Sequence, residues 1–277
     1  MIIDSHAHIG NLLILNLSVR KVLYSMERYG VDFSLVSSIE STEYYSEGKR
    51  LPWPLRRTQY RVCKKTIRAA KRHPDKLGAL LWLQIDRCVP NERLCRLIEK
   101  NRRYIYGIKI HPYRSETAPD EPKLEPVYEL ARRFGLPVVS HTGNIEKART
   151  LYLYNAAKAH PDIDFVAVHM DLDSDCNEAM ELIAKLPNLY GDTTWVSYET
   201  TVRAIKKCGS EKILFGTDNP IDGKDHMLYN RAGQRSFCQG YFNELKDLIS
   251  KEDYDNLMYK NAQSLFGIKS EIVQSSK

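Results

Sequence analysis

Several features that would place this chain in a common protein class are missing from its sequence. No apolar run approaches the roughly 20 residues that a membrane-spanning helix needs. The chain does not open with a cationic segment followed by an apolar segment and a cleavage site, so we expect a cytoplasmic protein with no membrane partner. Its six cysteines form no Cys-x-x-Cys pair, and in a cytosolic protein we expect them to be free thiols.

Signals of nucleic-acid and dinucleotide binding are also missing. The formal net charge is only +6 over 277 residues. Basic clusters such as Lys49-Arg50 and Arg102-Arg103 come with no nucleic-acid-binding motif, so we interpret them as solvated helix faces. The segment Ile9-Gly10-Asn11-Leu12 has one glycine where a dinucleotide-binding loop needs several. We therefore expect a small-molecule substrate and no nucleic-acid partner.

What the sequence does contain is a regular alternation of short apolar runs and longer helical segments. In residues 18–30, apolar residues recur at helical spacing after Ser18, which can cap the helix, and before Gly30, which can end it. Further helices are predicted at residues 60–73, 91–101, 125–134, 145–160, 176–185 and 198–208. Strands are predicted at residues 2–8, 33–39, 78–84, 106–110, 137–141, 165–169, 189–192 and 213–216.

Eight strands alternating with helices predict an α/β fold, a parallel (β/α)8 barrel (TIM barrel). No linker, repeat or low-complexity tract interrupts the pattern, so we expect one domain over residues 1–277. A doubly wound open sheet is the main alternative, because alternation alone does not count strands reliably.

Histidines mark one end of this predicted barrel. His6 and His8 lie two residues apart, so on a strand their side chains share a face and can bind one metal ion. Asp218 follows the eighth predicted strand, which neighbours the first in a closed barrel. Active sites of such barrels form at the C-terminal ends of the strands. Five of the eight histidines fall there, namely His6, His8, His111, His141 and His169.

Six segments occur in the order seen in the metal-dependent amidohydrolase superfamily, and the chain resembles its amidohydrolase-related branch. That branch contains hydrolases and decarboxylases of the aminocarboxymuconate-semialdehyde and resorcylate type. The resemblance runs from residue 1 to about residue 268 and implies a distorted barrel of the metal-dependent hydrolase type. The segments are Ile3-Asp4-Ser5-His6-Ala7-His8, Gly107-Ile108-Lys109-Ile110-His111-Pro112, Pro137-Val138-Val139-Ser140-His141-Thr142-Gly143, Val168-His169-Met170-Asp171, Leu214-Phe215-Gly216-Thr217-Asp218-Asn219-Pro220 and Asn261-Ala262-Gln263-Ser264-Leu265-Phe266-Gly267.

Carried over to matching positions, the resemblance implies that His6, His8, His141 and Asp218 bind a divalent metal. Zinc is the expected ion, with Mn, Fe, Co and Ni as alternatives. Such a site leaves a position for water, whose pKa the metal lowers toward about 7. The resemblance also implies that Asp218 accepts a proton from that water. His169 is expected to be a general acid or base, or a further metal ligand.

Strand four leaves two interpretations open. In the first, Lys109 is a carboxylated lysine that bridges two metal ions, and His169 could also contribute to the second site. In the second, Lys109 is a buried cation paired with Asp4 or Asp171. We predict one ion rather than two. Asp171 stands where the family commonly has glycine, and either orients a ligand imidazole or caps the loop that follows it.

Substrate contacts are predicted from residues just beyond other strands. His111, Arg56, Arg114 and Trp195 are the candidates, and an arginine would suit a carboxylic-acid substrate because a guanidinium holds a carboxylate through two parallel bonds. Two long connections, residues 40–58 and 219–240, are predicted lids.

The leading functional prediction is a hydrolase that directs a metal-activated water at an amide, lactone or ester-like bond of a small molecule. The main alternative is a metal-dependent, non-oxidative decarboxylase (a lyase) of an aromatic or unsaturated acid. A metal-dependent deoxyribonuclease is disfavoured, because that branch has a glutamate on strand four where this chain has Lys109 and His111. A non-catalytic barrel is disfavoured because all four expected ligands are present. A homodimer through exposed helix faces is a further expectation.

Overall fold

The computed structural model describes residues 1–269 and 271 and contains a nine-stranded sheet and a separate two-stranded hairpin. The strands are β1 (Ile3–Leu12), β2 (Leu15–Leu17), β3 (Phe33–Ser38), β4 (Tyr44–Ser46), β5 (Lys49–Arg50), β6 (Leu77–Trp82), β7 (Ile105–Ile110), β8 (Val138–Gly143), β9 (Phe165–Leu172), β10 (Leu189–Asp192) and β11 (Ile213–Leu214). The α-helices are α1 (Val19–Tyr29), α2 (Gln59–Arg72), α3 (Glu92–Asn101), α4 (Pro112–Ser115), α5 (Glu125–Phe134), α6 (Thr150–Ala159), α7 (Asn177–Ile183), α8 (Tyr198–Cys208), α9 (Cys238–Phe242), α10 (Lys251–Asp255) and α11 (Asn261–Phe266).

The sheet is a closed barrel of eight parallel strands. Their order is β11-β10-β9-β8-β7-β6-β3-β1, and β2 adds an antiparallel hairpin to β1. The first and last strands are joined through the segment that follows β11, where the Ser5 amide donates to the Phe215 carbonyl at 2.9 Å and the His8 amide to the Asn219 carbonyl at 2.8 Å. The predicted (β/α)8 barrel is therefore confirmed, and the open-sheet alternative is wrong.

Local sequence signals correctly predict the ends of several helices. The Ser18 side chain accepts the Lys21 amide at the start of α1, and Gly30 ends that helix in the left-handed region at φ 68°. Helices α5 and α8 have the predicted bounds. Helix α6 is shorter than predicted and begins at Thr150, because a tight turn precedes it in which the Gly143 amide donates to the Ala148 carbonyl.

Apolar residues fill the lower part of the barrel and leave the upper end polar. Side chains from seven strands and from α11 form one buried cluster inside the sheet, and α11 closes the bottom. A second cluster lies between the sheet and the surrounding helices. The strand residues of the inner cluster include Ile3, Phe33, Leu35, Leu80, Val139, Val166, Val168 and Leu214.

None of the described helices combines the length and the apolar composition that a membrane-spanning segment requires.

A β-bulge in β1 includes Ser5 and His6. Asp4 pairs with Ser34 and Ala7 with Val36, so Ser5 and His6 together lie opposite one residue of β3. A bulge bends a strand and changes which residues share a face. The Ser5 hydroxyl donates to Asp192 at 2.7 Å, and the His6 and His8 side chains share one face of the strand beyond the bulge, with their Nε2 atoms 3.1 Å apart.

Candidate metal centre

Three side chains from the first strand and the end of the last bring potential ligand atoms together at the top of the barrel. The Nε2 atoms of His6 and His8 lie 3.1 Å apart, and the Asp218 Oδ1 atom lies 3.5 Å and 2.9 Å from them. All three residues are buried. Within the described residues, they form the one group of three or more His, Cys, Asp or Glu side chains close enough to hold an ion.

The opposite ring nitrogens of the two histidines face hydroxyl groups. His8 Nδ1 lies 3.0 Å from the Ser37 hydroxyl, and His6 Nδ1 lies 3.4 Å from the Thr194 hydroxyl. Histidine ligands of metals commonly donate their second ring nitrogen to such a partner, which fixes the tautomer and the ring orientation. With Nδ1 as the donor, the Nε2 lone pairs of both rings face Asp218.

Asp218 completes a donor set that suits a cation. Its Oδ1 is buried and makes no hydrogen bond within the described structure, while its Oδ2 accepts the Trp195 indole N–H at 2.7 Å. Burial alone raises the pKa of Asp218, but the imidazoles of His8 and His6 outweigh it and hold the pKa well below its usual range. Two nitrogen lone pairs and an orphaned carboxylate oxygen that face one another fit a divalent metal ion.

The backbone around this centre is strained. Asp218, Trp195 and His169 have φ angles of 65°, 61° and 73°, in the left-handed region that non-glycine residues rarely adopt. Such conformations cost on the order of 1 kcal/mol each and persist where the surrounding structure holds them. Their concentration at one end of the barrel indicates a functional site.

His169, at the end of β9, has a defined tautomer. Its Nδ1 lies 3.0 Å from the Thr194 carbonyl oxygen, which can only accept, so Nδ1 carries the proton and Nε2 has the lone pair. Burial lowers the pKa of His169 and keeps the ring neutral. The side chain lines the central cavity, so it can accept a proton there.

His111 and His141 form an aromatic stack on another side of the cavity. Their ring centroids lie 4.0 Å apart at an interplanar angle of 19°, and Trp82 stacks on the outer face of His111 at 5.0 Å. Burial lowers the pKa of both imidazoles well below the usual range. The Nδ1 atom of His111 is buried without a partner in the described structure. His141 lies outside the group of three close ligands, and its role as a fourth ligand stays a prediction.

Lys109 lies beside the candidate metal ligands. Its Nζ is 3.3 Å from His6 Nε2, and burial lowers its pKa to about 8. The predicted pairing with Asp4 or Asp171 is wrong, because Asp4 binds Thr217 and Asp171 accepts the backbone and hydroxyl of Thr150. A bridging role for Lys109 or His169 in a two-metal site stays a prediction.

Asp171 and His226 have roles that the sequence did not indicate. Asp171 neither orients an imidazole nor caps its own following loop through its side chain; its carboxylate fixes the first residue of α6. His226 is buried, donates Nε2–H to the Thr217 carbonyl and accepts the Asp222 amide at Nδ1. It therefore supports the segment that carries Asp218, and its loop position between predicted elements gave no signal for this role.

The centre opens into a cavity of about 350 Å³. The predicted contacts His111 and Arg114 line it, as do Tyr45 and Arg231, which sequence reasoning missed. Arg56 does not: its Nε donates to the Leu51 carbonyl, and the side chain lines a separate cleft with Arg57 and Arg87. That prediction is corrected because the 51–58 loop runs away from the cavity. The four residues Leu12, Leu13, Ile14 and Leu15 of the β1–β2 hairpin form an apolar rim.

The prediction that Trp195 contacts the substrate is also corrected. It is not among the residues that line the cavity, and its indole contacts Asp218 instead. The two predicted lids each contribute to the cavity, the first through Thr42 and Tyr45 and the second through Ile221 and Arg231. Lid closure stays a prediction.

Comparison with known proteins points to one family. The family model Amidohydro_2, described as amidohydrolase, matches residues 68–268, which is more than half of the chain. The matched stretch includes His141, His169 and Asp218 and begins after His6 and His8. A search of curated proteins found no match to this sequence.

Solved structures with the same fold cover nearly the whole chain at low sequence identity. One is a 4-oxalomesaconate hydratase from Rhodopseudomonas palustris, with a TM-score of 0.69 and 16% identity over 100% of this chain and 98% of that chain. Another is a 5-carboxyvanillate decarboxylase from Sphingomonas paucimobilis, with a TM-score of 0.66 and 14% identity over 97% and 99%. A probable 2-pyrone-4,6-dicarboxylic acid hydrolase from Acinetobacter baumannii has a TM-score of 0.65 and 14% identity over 96% and 99%.

Proposed function

The chain belongs to the amidohydrolase family, and from that premise we propose that it is a metal-dependent hydrolase of small molecules that carry a carboxylate. The bond cleaved is an amide, lactone or ester-like bond. The observation that carries this proposal is the neutral imidazole of His169, whose Nδ1–H is held by the Thr194 carbonyl and whose Nε2 can accept a proton in the cavity. Hydrolysis begins with removal of a proton from water, which is the step such a group performs.

The residues that would hold the metal are His6, His8 and Asp218, with His141 as the fourth candidate from the same cavity. Zinc is the ion we propose, because two or three imidazoles and one carboxylate are typical zinc ligands, while Mn, Fe, Co and Ni accept the same donors. When bound, such an ion lowers the pKa of a water ligand and polarises a substrate carbonyl.

Proton transfer is assigned to His169 rather than to Asp218. The Asp218 Oδ2 atom already accepts the Trp195 indole and its Oδ1 faces the two histidines, so both oxygens are committed. His169 Nε2 makes no hydrogen bond within the described structure and can return the proton to the leaving group. We therefore propose that Asp218 binds the metal and that His169 is the general base and acid.

Arg114 supports an anionic substrate. Its guanidinium lines the cavity and donates to the Tyr44 and Tyr45 carbonyls, but forms no ion pair within the described structure. Arg231, on the opposite rim, is already paired with Asp222 at 3.4 Å. An unpaired guanidinium can hold a carboxylate through two hydrogen bonds. Two of the similar structures are named for carboxylate-bearing substrates, 5-carboxyvanillate and 2-pyrone-4,6-dicarboxylic acid.

A second candidate is non-oxidative decarboxylation. Arg114 could hold the scissile carboxylate near the metal ligands, and two of the similar structures are 2,6-dihydroxybenzoate and 5-carboxyvanillate decarboxylases. This reaction must deliver a proton to carbon, whereas the described tautomer of His169 leaves Nε2 unprotonated. We therefore rank it second.

The test uses zinc-loaded protein and a panel of carboxylate-bearing lactones, esters and amides alongside aromatic acids. Acid release in a pH-stat reports hydrolysis, and CO2 release reports decarboxylation. We expect acid release that His169→Asn lowers about 100-fold or more with unchanged zinc content, since Asn keeps a donor near the Thr194 carbonyl but removes Nε2.

His73→Asn, at the exposed end of α2, is the matched control and should have wild-type activity. CO2 release without acid release would replace hydrolysis with the second candidate. Failure of the protein to bind zinc or any of the alternative ions would overturn the proposal in both forms.

A further inference from the structure

The two oxygens of the Asp218 carboxylate have different neighbours. Oδ2 accepts the Trp195 indole N–H at 2.7 Å, a short bond whose direction is certain because the indole can only donate. Oδ1 makes no hydrogen bond and faces the Nε2 atoms of His6 and His8. A carboxylate free at both oxygens can bind an ion through one oxygen or both. Here one oxygen is already occupied.

We infer that Trp195 is a positioning residue that makes Asp218 a one-oxygen metal ligand, an inference that rests on the metal site of the proposed function. The indole N–H occupies Oδ2 and turns Oδ1 toward the two imidazoles. A single carboxylate oxygen leaves more of the coordination sphere open to water and substrate than a chelating carboxylate does, which is the requirement of a catalytic zinc site.

Residues of the segment that follows β11 pack against the indole of Trp195. Its ring makes edge-to-face contacts with His226 and Phe237, at centroid distances of 5.7 Å and 6.4 Å. His226 is itself fixed, because it donates to the Thr217 carbonyl and accepts the Asp222 amide. The left-handed backbone of Trp195 is a further sign that the surrounding structure fixes this residue.

The residue before Trp195 also orients side chains of the candidate site. Thr194 lies next to Trp195 and uses its carbonyl to hold His169 and its hydroxyl to face His6 Nδ1. Its own amide is held by Asp192 at 2.8 Å. The short segment after β10 therefore orients a base, one imidazole ligand and the carboxylate ligand together, and Trp195 supplies the contact to the carboxylate.

The test compares two substitutions that differ in one donor. Trp195→Phe removes the N–H, whereas Trp195→His keeps a ring N–H at the corresponding position of a five-membered ring. Metal-free proteins are titrated with Zn²⁺ by calorimetry and with Co²⁺ by visible absorption, whose band intensity reports coordination number. We expect Trp195→Phe to weaken Zn²⁺ binding about 10- to 100-fold and to change the Co²⁺ bands, and Trp195→His to stay within about threefold of the wild type.

Trp53→Phe is the matched control, because Trp53 is 80% exposed and lies on the loop of the separate cleft. Wild-type Zn²⁺ affinity and Co²⁺ spectrum in Trp195→Phe would overturn the inference. So would equal losses in the Phe and His variants, because ring packing rather than the N–H would then be responsible. A wild-type protein that binds neither ion would instead overturn the metal site of the proposed function.

Thermal unfolding of the metal-free variants shows whether each is folded. If Trp195→Phe does not fold, the measurement moves to the indole ¹⁵N–¹H signals of the wild-type protein, which has three tryptophans. The Trp195 signal, identified by its absence in Trp195→His, should shift on Zn²⁺ addition while that of Trp53 does not. A Trp195 signal that saturating Zn²⁺ leaves unmoved would overturn the inference.

Discussion

Two sides of the same cavity hold their histidines in different ways. On the metal-ligand side, His6 and His8 each face a hydroxyl through Nδ1 and direct Nε2 toward the carboxylate of Asp218. On the stacked side, His111 lies between Trp82 and His141, and its Nδ1 has no partner in the described structure. In the first arrangement two lone pairs converge on one carboxylate oxygen, whereas the second leaves a buried polar atom without a partner in the described structure.

Imidazoles at the ends of the barrel strands are therefore not equivalent. Two histidines on one strand converge because their side chains share a face. His111 and His141 come from neighbouring strands, and their rings stack nearly in parallel. Their nitrogens point outward within two separate ring planes rather than toward a common point. We therefore propose that the first pair binds the metal and that His111 contacts the substrate.

The largest expected effect comes from removing the metal-ligand side. His6→Ala with His8→Ala should leave no bound zinc after dialysis and lower turnover at least about 1000-fold, since a metal ion contributes several kcal/mol of transition-state stabilisation. Elemental mass spectrometry of the purified variants provides the measurement. His141→Ala should keep the metal at about 10- to 100-fold weaker affinity. Complete metal loss in His141→Ala would show that the two sides of the cavity form one metal site.

A smaller effect is expected on the stacked side. His111→Phe keeps a flat ring between Trp82 and His141 but removes the orphaned nitrogen, so the loss should be one hydrogen bond to substrate. We expect kcat/KM to fall about 10-fold with unchanged metal content. Steady-state kinetics on the best substrate of the panel measures it, with His73→Phe as the control. Loss of the metal in His111→Phe would instead show that His111 contributes to metal binding.

The apolar rim should affect substrate affinity alone. Leu13 and Ile14, at the turn of the β1–β2 hairpin, are 60% and 87% exposed, and Leu13 has a left-handed φ of 51°. Replacing them by Asn and Ser should raise KM about fivefold for substrates with an apolar body, because about 1 kcal/mol of apolar contact is lost, and leave kcat unchanged. Val89→Ser, an exposed apolar position elsewhere, is the control. An equal rise in KM for the smallest substrates, which have no apolar body, would show that the rim does not bind this part of the substrate.

The smallest expected effect concerns the stability contributed by Glu43, which follows the cavity-lining residue Thr42. Its carboxylate accepts the backbone amides of Ile85, Asp86 and Arg87, and burial raises its pKa from 4.5 to about 7. A carboxyl group with a raised folded pKa contributes stability that is present below pH 4.5 and lost as the pH rises to about 7. The loss is at most about 3 kcal/mol.

Chemical denaturation between pH 4 and 8 should therefore show a flatter pH dependence for Glu43→Gln than for the wild type, with unchanged metal affinity. Glu47→Gln, on the exposed β4–β5 turn, is the control and should keep the wild-type slope. A wild-type slope in Glu43→Gln would mean that this carboxyl group ionises normally in the folded protein.

Much of this molecule follows from short-range patterns. The spacing of His6 and His8 needs only strand alternation, and the ends of α1 need only a serine cap and a glycine stop, so each was predictable. The position of Asp218 needed one further assumption, that the first and last strands are neighbours. Arg56 was misplaced because a loop residue near a strand end in sequence is free to point away from the cavity. Trp195 was assigned to the substrate because sequence cannot show which neighbour an indole N–H reaches.

The barrel and the end of it that carries the histidines could be predicted from the sequence, because strand and helix periodicities and the positions of histidines after strands are local properties of the chain. Which of those histidines converge, which stack, and which residues hold them could be seen only in the folded structure. Those outcomes depend on contacts between residues far apart in the chain, such as His6 with Asp218 and Thr194 with His6, which are separated by 188 positions. No local pattern encodes the distance or direction of such contacts, because barrel closure and packing set them.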